Sequence, residues 1–450
     1  MIVGSARNLR QAESHPAYRP EVDGLRALAV VPVILFHAGF TWFSGGYVGV
    51  DVFFVISGYL ITTIILAEKS SGSFTIAGFY ERRARRILPA LFLVMLACLI
   101  PCWLWMMPKQ LKEFSQSLVA VALFASNVIF WLTSGYFSSA AEERPLLHTW
   151  SLGVEEQYYV LFPLLVILLW PLGRRRMAWC LVALAVASLG LAEFVARRDA
   201  MANFYLAPSR AWELLIGSLL AFAAFAQPIH QRVSGTAAQL LSMLGVLLIV
   251  AAVFAFDKAT PVPGVHALLP TLGTALVLGF AAQGTYAARM LSAKWVVGIG
   301  LISYSAYLWH QPLFAFARIR LLDKPGPAVL GALSMASMAL AYFTWRYVEA
   351  PFRNRKRVAR LPLFAFSVAG SLLIMAIGLG GHASKGYPGR FDAATLGLIA
   401  TASHSPQRDA CHTSRCFAVL DGAAMYFDDD HLSQAGSRKV LAILDRYIDR

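Results

Sequence analysis

An arginine and a histidine are embedded in the first long apolar run of this chain. Arg26 precedes His37 by eleven residues, so in a helix the two side chains share one face, about 16 Å apart along the axis. Ionisable residues within such runs are costly and usually face a cavity. An imidazole can take a proton from a hydroxyl or attack a thioester, and an arginine can bind an anion. We therefore interpret His37 and Arg26 as candidate catalytic residues.

A basic stretch between two apolar runs offers a second candidate site. Arg83 and Arg86 are three residues apart and share a face if the segment is helical. Paired guanidinium groups suit a nucleotide or pyrophosphate, as in coenzyme A, so we interpret Arg83 and Arg86 as donor-binding candidates. The residues alone leave open that the stretch only sets membrane topology.

A polar block opens one of the later apolar runs. If that segment is helical from its start, His148 and Glu155 share a face, with Trp150 and Glu156 close by. Carboxylates beside a histidine could perform acid-base work, with Glu155 assisting catalysis, or could form an ion-paired structural node. The residues leave these two interpretations even, and His148 and Trp150 are candidate cavity-lining residues.

Three further polar side chains interrupt apolar runs. Asp51 and Ser57 lie in a glycine-punctuated run, and His310 shares a helical face with Tyr307 near the end of another. We interpret Asp51, Ser57 and His310 as candidate cavity-lining residues. In contrast, we interpret the three-residue spacing of Arg210 and Glu213 as a structural salt bridge.

The elements that must position these residues are membrane helices. Hydrophobic residues make up 58% of the chain and charged residues only 14%, which excludes a water-facing globule. A membrane span needs about 20 mostly apolar residues, and eleven such runs recur. The run 114–133 is ambiguous and is interpreted as re-entrant, interfacial or half of an extra pair. The eleven runs are 25–40, 49–67, 87–107, 155–171, 178–195, 211–226, 239–256, 267–283, 296–317, 328–345 and 362–381.

The distribution of positive charge orients these spans. Short cytoplasmic loops carry an excess of Lys and Arg, which places the N-terminal arm and the basic segments 82–86, 174–176 and 353–360 inside the cell. The exterior stretches 197–199 and 318–324 carry some positive charge against the rule. The resulting prediction is a multi-pass protein of the bacterial inner membrane with a cytoplasmic N-terminus and a periplasmic C-terminus. The net charge of +14 is explained by membrane orientation and lipid contact, and not by nucleic acid.

The ordered motifs resemble the membrane acyltransferase family often called acyltransferase 3. The resemblance covers residues from about Tyr18 to Phe352. It implies a ten-helix domain that takes acyl-coenzyme A from the cytoplasm, with the first-helix Arg and His essential and the Arg-x-x-Arg pair near the donor. The matching motifs are Arg26-x10-His37, Gly49-Val-Asp-Val-Phe-Phe-Val-Ile-Ser-Gly-Tyr, Arg83-x-x-Arg86, His148-Thr-Trp-Ser-Leu, Arg210-Ala-Trp-Glu213 and Val348-Glu-Ala-Pro-Phe.

This resemblance predicts an all-α polytopic fold and an O-acyltransferase activity. We expect a cytoplasmic arm at 1–24, the acyltransferase domain at 25–358, an eleventh linking helix at 359–383 and an exterior tail at 384–450. The expected reaction moves an acyl group, most simply acetyl, from acyl-coenzyme A to a hydroxyl of an envelope glycan such as lipopolysaccharide O-antigen or exopolysaccharide. No bound cofactor or metal is expected, and membrane lipids are the surroundings.

The tail resembles the last part of an SGNH hydrolase domain. Asp428 and His431 occupy the positions of its closing Asp-x-x-His block, but no Gly-Asp-Ser motif follows Gly381. A base and an acid without a serine have no nucleophile to activate, so we expect Asp428 and His431 to be vestigial. A separate periplasmic SGNH-type protein is then a candidate partner.

Two other functions compete with acyl transfer. A transporter or flippase of a lipid-linked glycan or small anion could use the same buried Arg and His for binding. Transporters commonly contain internal repeats, and no matching halves are evident here, which disfavours that function. A degraded, inactive relative is a third possibility, which the intact membrane motifs disfavour.

Overall fold

Helices make up nearly all of the described chain. The computed structural model describes residues 18–134, 141–321, 325–393, 396, 419–420 and 423–424, so Asp428 and His431 lie outside the described residues. Two short strands, Val419–Leu420 and Ala423–Ala424, pair antiparallel. The α-helices are α1 (Pro20–His37), α2 (Gly49–Ser70), α3 (Ile76–Trp105), α4 (Pro108–Ala122), α5 (Ser126–Leu132), α6 (Thr149–Leu169), α7 (Arg174–Ala196), α8 (Ala200–Tyr205), α9 (Ala207–Ala224), α10 (Gly235–Ala255), α11 (Leu268–Phe280), α12 (Tyr286–Leu291), α13 (Lys294–Arg320), α14 (Pro327–Thr344), α15 (Ala350–Arg353) and α16 (Arg360–Ala383).

Several helices of this bundle have the length and the apolar composition of membrane-spanning helices. In the described part of the chain, seven helical segments are long and apolar enough to cross a membrane. A helix also lies at each of the other four predicted runs, namely α1, α9, α11 and α13. Three of these carry charged residues, and α11 is short. The predicted all-α polytopic membrane fold is confirmed, while the division into a ten-helix domain and a linking helix stays a prediction.

Helices α1 and α13 lie side by side and run in the same direction. Near their starts, a Cβ atom at Gly300 would overlap the main-chain carbonyl of Asp23, so the two backbones are in direct contact. Near their ends, a nitrogen of Arg318 donates a hydrogen bond of 2.6 Å to the carbonyl of His37. Residues along one helix therefore face residues at the same depth on the other.

A second close pair is α2 with α9. Gly58 contacts the carbonyl of Leu214, and Gly217 contacts the carbonyl of Val55, so a methyl group at either glycine would overlap main-chain atoms. The hydroxyl of Thr62 donates to that of Ser218 at 2.7 Å. Small residues allow helices in an apolar medium to approach closely, and this pair forms a rigid wall of the bundle.

The ambiguous run 114–133 forms two short helices instead of one long one. α4 has 15 residues and α5 has seven, each shorter than the length a span requires. α4 packs against α16, where Gly378 and Gly381 contact Ser115. The structure therefore divides this run into two short helices, and the first of them packs against α16.

Candidate active site

A large polar cavity opens where α1, α3 and α13 begin. Its volume is about 1060 Å³, and the described residues that line it include seven arginines against three carboxylates. Tyr304 and Ser303 on α13 form part of its wall. We call this site the arginine cavity, and its excess of positive charge suits a ligand with several phosphates. The charged lining residues are Asp23, Arg26, Glu68, Glu81, Arg82, Arg85, Arg86, Arg353, Arg355 and Arg360.

The first helix places Arg26 in this cavity. Arg26 forms a 3.0 Å salt bridge with Asp23 one turn earlier, and Asp23 also accepts a 2.7 Å hydrogen bond from the Tyr18 hydroxyl. Desolvation raises the pKa of Tyr18 to about 12, and the hydrogen bond to Asp23 adds to the effect. Arg26 is therefore held at the cavity wall by a carboxylate that balances only one of the cationic groups there.

A buried carboxylate holds the opposite wall. Glu81 forms ion pairs with Arg85 at 2.9 Å, Arg355 at 3.5 Å and Arg360 at 3.6 Å. Arg85 also donates to the carbonyls of Phe352 at 3.0 Å and Val358 at 2.7 Å. These bonds fix the segment between α15 and α16 against α3 and explain why its arginines reach the cavity.

A second buried carboxylate positions Arg353. Glu349 has 0% exposure, accepts a hydrogen bond from Ser305 and forms a 2.6 Å ion pair with Arg353. Glu349 lies in a π-helical turn, Trp345–Glu349, between α14 and α15. Sequence reasoning missed Glu349, Arg353 and Tyr304 as site residues. The Val348-Glu-Ala-Pro-Phe motif contained Glu349, but the arginines after it were interpreted only as a topology signal.

The side chains of the predicted donor pair, Arg83 and Arg86, do not lie on the same surface. Arg86 lines the arginine cavity, whereas Arg83 contacts α6, with its guanidinium carbon 5.4 Å from the centre of the Tyr159 ring. Glu155 accepts hydrogen bonds from the hydroxyls of Ser57 and Tyr159. Arg83, Tyr159, Glu155 and Ser57 thus form a polar layer within the bundle, and none of them lines the arginine cavity.

Three histidines meet further along α1 and α13. The ring centres of His37 and His310 are 5.1 Å apart, and those of His148 and His310 are 5.4 Å apart. Tyr307 joins this histidine cluster, because its hydroxyl contacts Ser151 at 2.7 Å and donates to the His148 carbonyl at 2.9 Å. In the part of the chain that the structure describes, no group of three or more His, Cys, Asp or Glu could hold a metal ion.

Asp51 and Trp150 belong to a different, fully buried network. Arg210 donates to Asp51 at 2.8 Å and to Glu213 at 3.0 Å, so the predicted Arg210–Glu213 salt bridge is present. The guanidinium carbon of Arg210 also lies 5.2 Å from the centre of the Trp150 ring and 4.9 Å from that of Phe204. Asp51 and Trp150 contact this ion network, while Ser57 contacts Glu155 and the predicted His148 and His310 lie beside His37.

The arginine cavity and the histidine cluster lie at different positions along the same two helices, α1 and α13. This arrangement suits acid-base or group-transfer chemistry. Along α13, His310 is six residues beyond the cavity-lining Tyr304, or about 9 Å along the helix axis. A phosphate-bearing ligand anchored by the arginines could extend a thin arm past the polar layer to the imidazoles.

Comparison with known proteins identifies the family of this chain. A family model described as an acyltransferase domain matches residues 19–346. A peptidoglycan O-acetyltransferase OatA of Listeria monocytogenes is 31% identical over 350 residues, which cover 75% of this chain and 56% of that protein. An O-acetyltransferase OatA of Staphylococcus aureus is 30% identical over 377 residues, which cover 80% of this chain and 62% of that protein. This chain thus spans less than two thirds of the length of these relatives. No solved structure matches.

Proposed function

This chain belongs to the acyltransferase family whose model matches residues 19–346, and we propose that it moves acetyl from acetyl-coenzyme A to a hydroxyl of a cell-envelope glycan. It is a multi-pass membrane acyltransferase. The observation that carries the proposal is the alignment of the arginine cavity with His37 and His310 along the parallel helices α1 and α13. In this proposal the arginine cavity binds the polyanionic part of the donor, and the histidine cluster supplies nucleophilic nitrogen atoms.

The donor is assigned from the charges of the cavity. Arg26, Arg86 and Arg353 surround a space of about 1060 Å³, which is large enough for a nucleotide. Charge-assisted hydrogen bonds from guanidinium groups favour phosphates over neutral ligands. In the proposed complex, these arginines hold the phosphates of coenzyme A, and its pantetheine arm carries the thioester toward the histidine cluster.

The chemical roles follow from position along the bundle. His37 lies about 16 Å beyond Arg26 on the same helix and supplies an imidazole that can act as base or as transient acyl carrier. Arg83, whose guanidinium lies beside the Tyr159 ring, offers a cation to the thioester carbonyl, where negative charge develops during attack. Glu155, hydrogen bonded by Ser57 and Tyr159, fixes the polar layer through which the arm passes.

The proposed orientation places the arginine cavity toward the cytoplasm, where acetyl-coenzyme A is made, in the bacterial inner membrane. It is supported by the basic segments around the cavity, because cytoplasmic ends of membrane helices carry the excess of Lys and Arg. The histidine cluster then faces the envelope side. Lipopolysaccharide O-antigen and exopolysaccharide are the acceptors expected from sequence, and the name of the Listeria relative adds peptidoglycan.

The experiment is mass analysis of envelope glycans from cells that lack the protein and are complemented with wild type, His37→Ala or the control His230→Ala. His230 lies in the turn Ile229–Arg232, which belongs to neither the cavity nor the histidine cluster. We expect the acetyl mass on one glycan fraction with wild type and His230→Ala, and its loss with His37→Ala. Normal acetylation with altered glycan export in His37→Ala would instead favour a transporter.

A further inference from the structure

The imidazoles of His37 and His310 lie on two neighbouring helices, and each is anchored by a hydrogen bond between its Nδ1 and a main-chain carbonyl of its own helix. Nδ1 of His37 lies 2.9 Å from the carbonyl oxygen of Val33, and Nδ1 of His310 lies 2.6 Å from that of Tyr307. The ring centres are 5.1 Å apart with an angle of 50° between the planes. Each ring is thus anchored to its own helix and presents its other nitrogen to the bundle.

These bonds fix the tautomer of both rings. A carbonyl oxygen only accepts, so each Nδ1 must carry the proton and donate it. In a neutral ring, Nε2 is then a lone pair, the form that can attack a carbonyl carbon or take a proton. His310 is buried with 0% exposure, and its Nε2 has no hydrogen-bond partner among the described residues. A buried polar atom without a partner requires an explanation, and a catalytic role is one that fits its position beside His37.

A chemical requirement of the proposed function explains why two such rings are needed. If His37 carries the acyl group on Nε2, that nitrogen has no lone pair with which to take a proton from the incoming hydroxyl. Nδ1 of the same ring is committed to the Val33 carbonyl. A ping-pong transfer therefore requires a second base next to the acylated ring.

We propose that His310 is a second catalytic residue, the general base that deprotonates the acceptor hydroxyl, while His37 is the acyl carrier. This inference rests on the proposed function. In the first half-reaction, Nε2 of His37 attacks the thioester carbon, the C–N bond forms, the C–S bond breaks, and coenzyme A leaves as a thiolate. The acyl-imidazolium on His37 is the balancing positive charge.

In the second half-reaction, the acceptor oxygen attacks the same carbon and His310 Nε2 takes its proton. The C–O bond forms, the C–N bond breaks, and the electron pair returns to His37 Nε2. The proton then leaves His310 to solvent, and the thiolate takes one from solvent, so no proton is gained or lost overall. A positioned base of this kind contributes a factor of about 10²–10⁴ to the rate.

His148 and Glu155 are less suited to this role. His148 contacts the His310 ring, with ring centres 5.4 Å apart, but in the described part of the chain no hydrogen bond of the geometry found at His37 and His310 anchors its ring nitrogens. Glu155 already accepts hydrogen bonds from two hydroxyl groups, those of Ser57 and Tyr159. His310 alone among these combines a fixed tautomer, contact with the His37 ring and an uncommitted lone pair.

The test separates the two half-reactions in membrane vesicles that contain the native glycan and full-length protein. Vesicles receive coenzyme A bearing a radiolabelled acetyl group, and label is followed in the protein and in the glycan. His310→Asn is the main variant, because its amide can still donate to the Tyr307 carbonyl but offers no base. His310→Gln is a second variant, and His230→Gln is the control.

We expect both His310 variants to accumulate acetyl-protein several-fold above wild type while label in the glycan falls about 100-fold. His37→Gln should lose both signals, and hydroxylamine should release the trapped acetyl from His310→Asn. Glycan label within a few-fold of wild type in both His310 variants would overturn the inference, as would loss of protein label equal to that of His37→Gln. If His148→Gln accumulated acetyl-protein while His310→Asn showed normal turnover, the inference would also be overturned. Absence of glycan label with wild type would instead refute the proposed function.

Discussion

The side chain of Arg318, in the last turn of α13, donates a 2.6 Å hydrogen bond to the main-chain carbonyl of His37, the last residue of α1. Its Nε forms a 3.4 Å ion pair with Glu142. The final carbonyls of a helix have no partner within the helix, so this bond both satisfies one of them and joins the ends of the two helices. The separation between the His37 and His310 rings therefore depends on Arg318, which holds the end of α1 against α13.

Replacing Arg318 with Ala should lower turnover about 10-fold with little change in KM for acetyl-coenzyme A. The hydrogen bond from a charged donor is worth about 1.5–3 kcal/mol, and its loss frees the end of α1. The measurement is steady-state acetyl transfer in vesicles, with the exposed Arg197→Ala as control. A rise in KM without a fall in kcat would contradict this positioning role.

Two glycines on α13 provide a matched pair for testing the contact between α1 and α13. Gly300→Ala should lower both activity and the unfolding temperature, because its methyl group would overlap the Asp23 carbonyl and force the helices apart. Overpacking of this kind costs about 1–3 kcal/mol. At Gly298 nothing lies within 4 Å of an added Cβ atom, so Gly298→Ala should be neutral or slightly stabilising. Equal effects of the two substitutions on activity would argue against the contact.

The arginines of the cavity should control the affinity for the donor. Arg26→Ala and Arg86→Ala should each raise KM for acetyl-coenzyme A about 10–100-fold, since each loses a charge-assisted bond to phosphate. Arg174→Ala, on the exposed start of α7, is the matched control. Titration of the purified protein with coenzyme A by calorimetry measures the same loss directly. Unchanged affinity in both cavity variants would exclude the proposed phosphate site.

The buried ion network should control stability more than chemistry. Arg210→Met would leave Asp51 and Glu213 without their cation. All three side chains have at most 2% exposure, so water cannot replace it. Removing one partner of such a network costs about 3–5 kcal/mol, so the variant should unfold at a much lower temperature or fail to accumulate. Glu213→Gln keeps a polar partner for Arg210 and should be milder. Thermal unfolding in detergent distinguishes the two, and a more damaging Glu213→Gln would contradict this account.

Apolar runs located the helices well because the membrane requires the backbone to satisfy its own hydrogen bonds. α2, α3 and α16 lie where such runs were found. The shared face of Arg26 and His37 was also accessible, since both lie on one helix with known periodicity. The run 114–133 was ambiguous because it is divided between α4 and α5, and its apolar residues serve packing of α4 against α16.

Contacts between distant segments could not be predicted in the same way. Asp51 joins Arg210 across 159 residues, and Glu349 reaches Ser305 across the bundle, so local spacing carries no sign of either pair. The split between Arg83 and Arg86 depends on Tyr159 of another helix, which attracts one guanidinium and not the other. The anchoring of His310 by the Tyr307 carbonyl is local, but its meaning appears only when His37 lies opposite.

The arginine cavity also has a consequence for when the protein would work. In the proposed complex its charges contact the phosphates, which acetyl-coenzyme A and free coenzyme A share, while the acetyl group is recognised elsewhere. Affinity that comes from the unchanged part of a molecule is the same for substrate and product. Free coenzyme A would then occupy the cavity as readily as acetyl-coenzyme A. The extent of glycan modification would follow the ratio of the two forms, and thus the carbon supply of the cell, without a separate regulatory site.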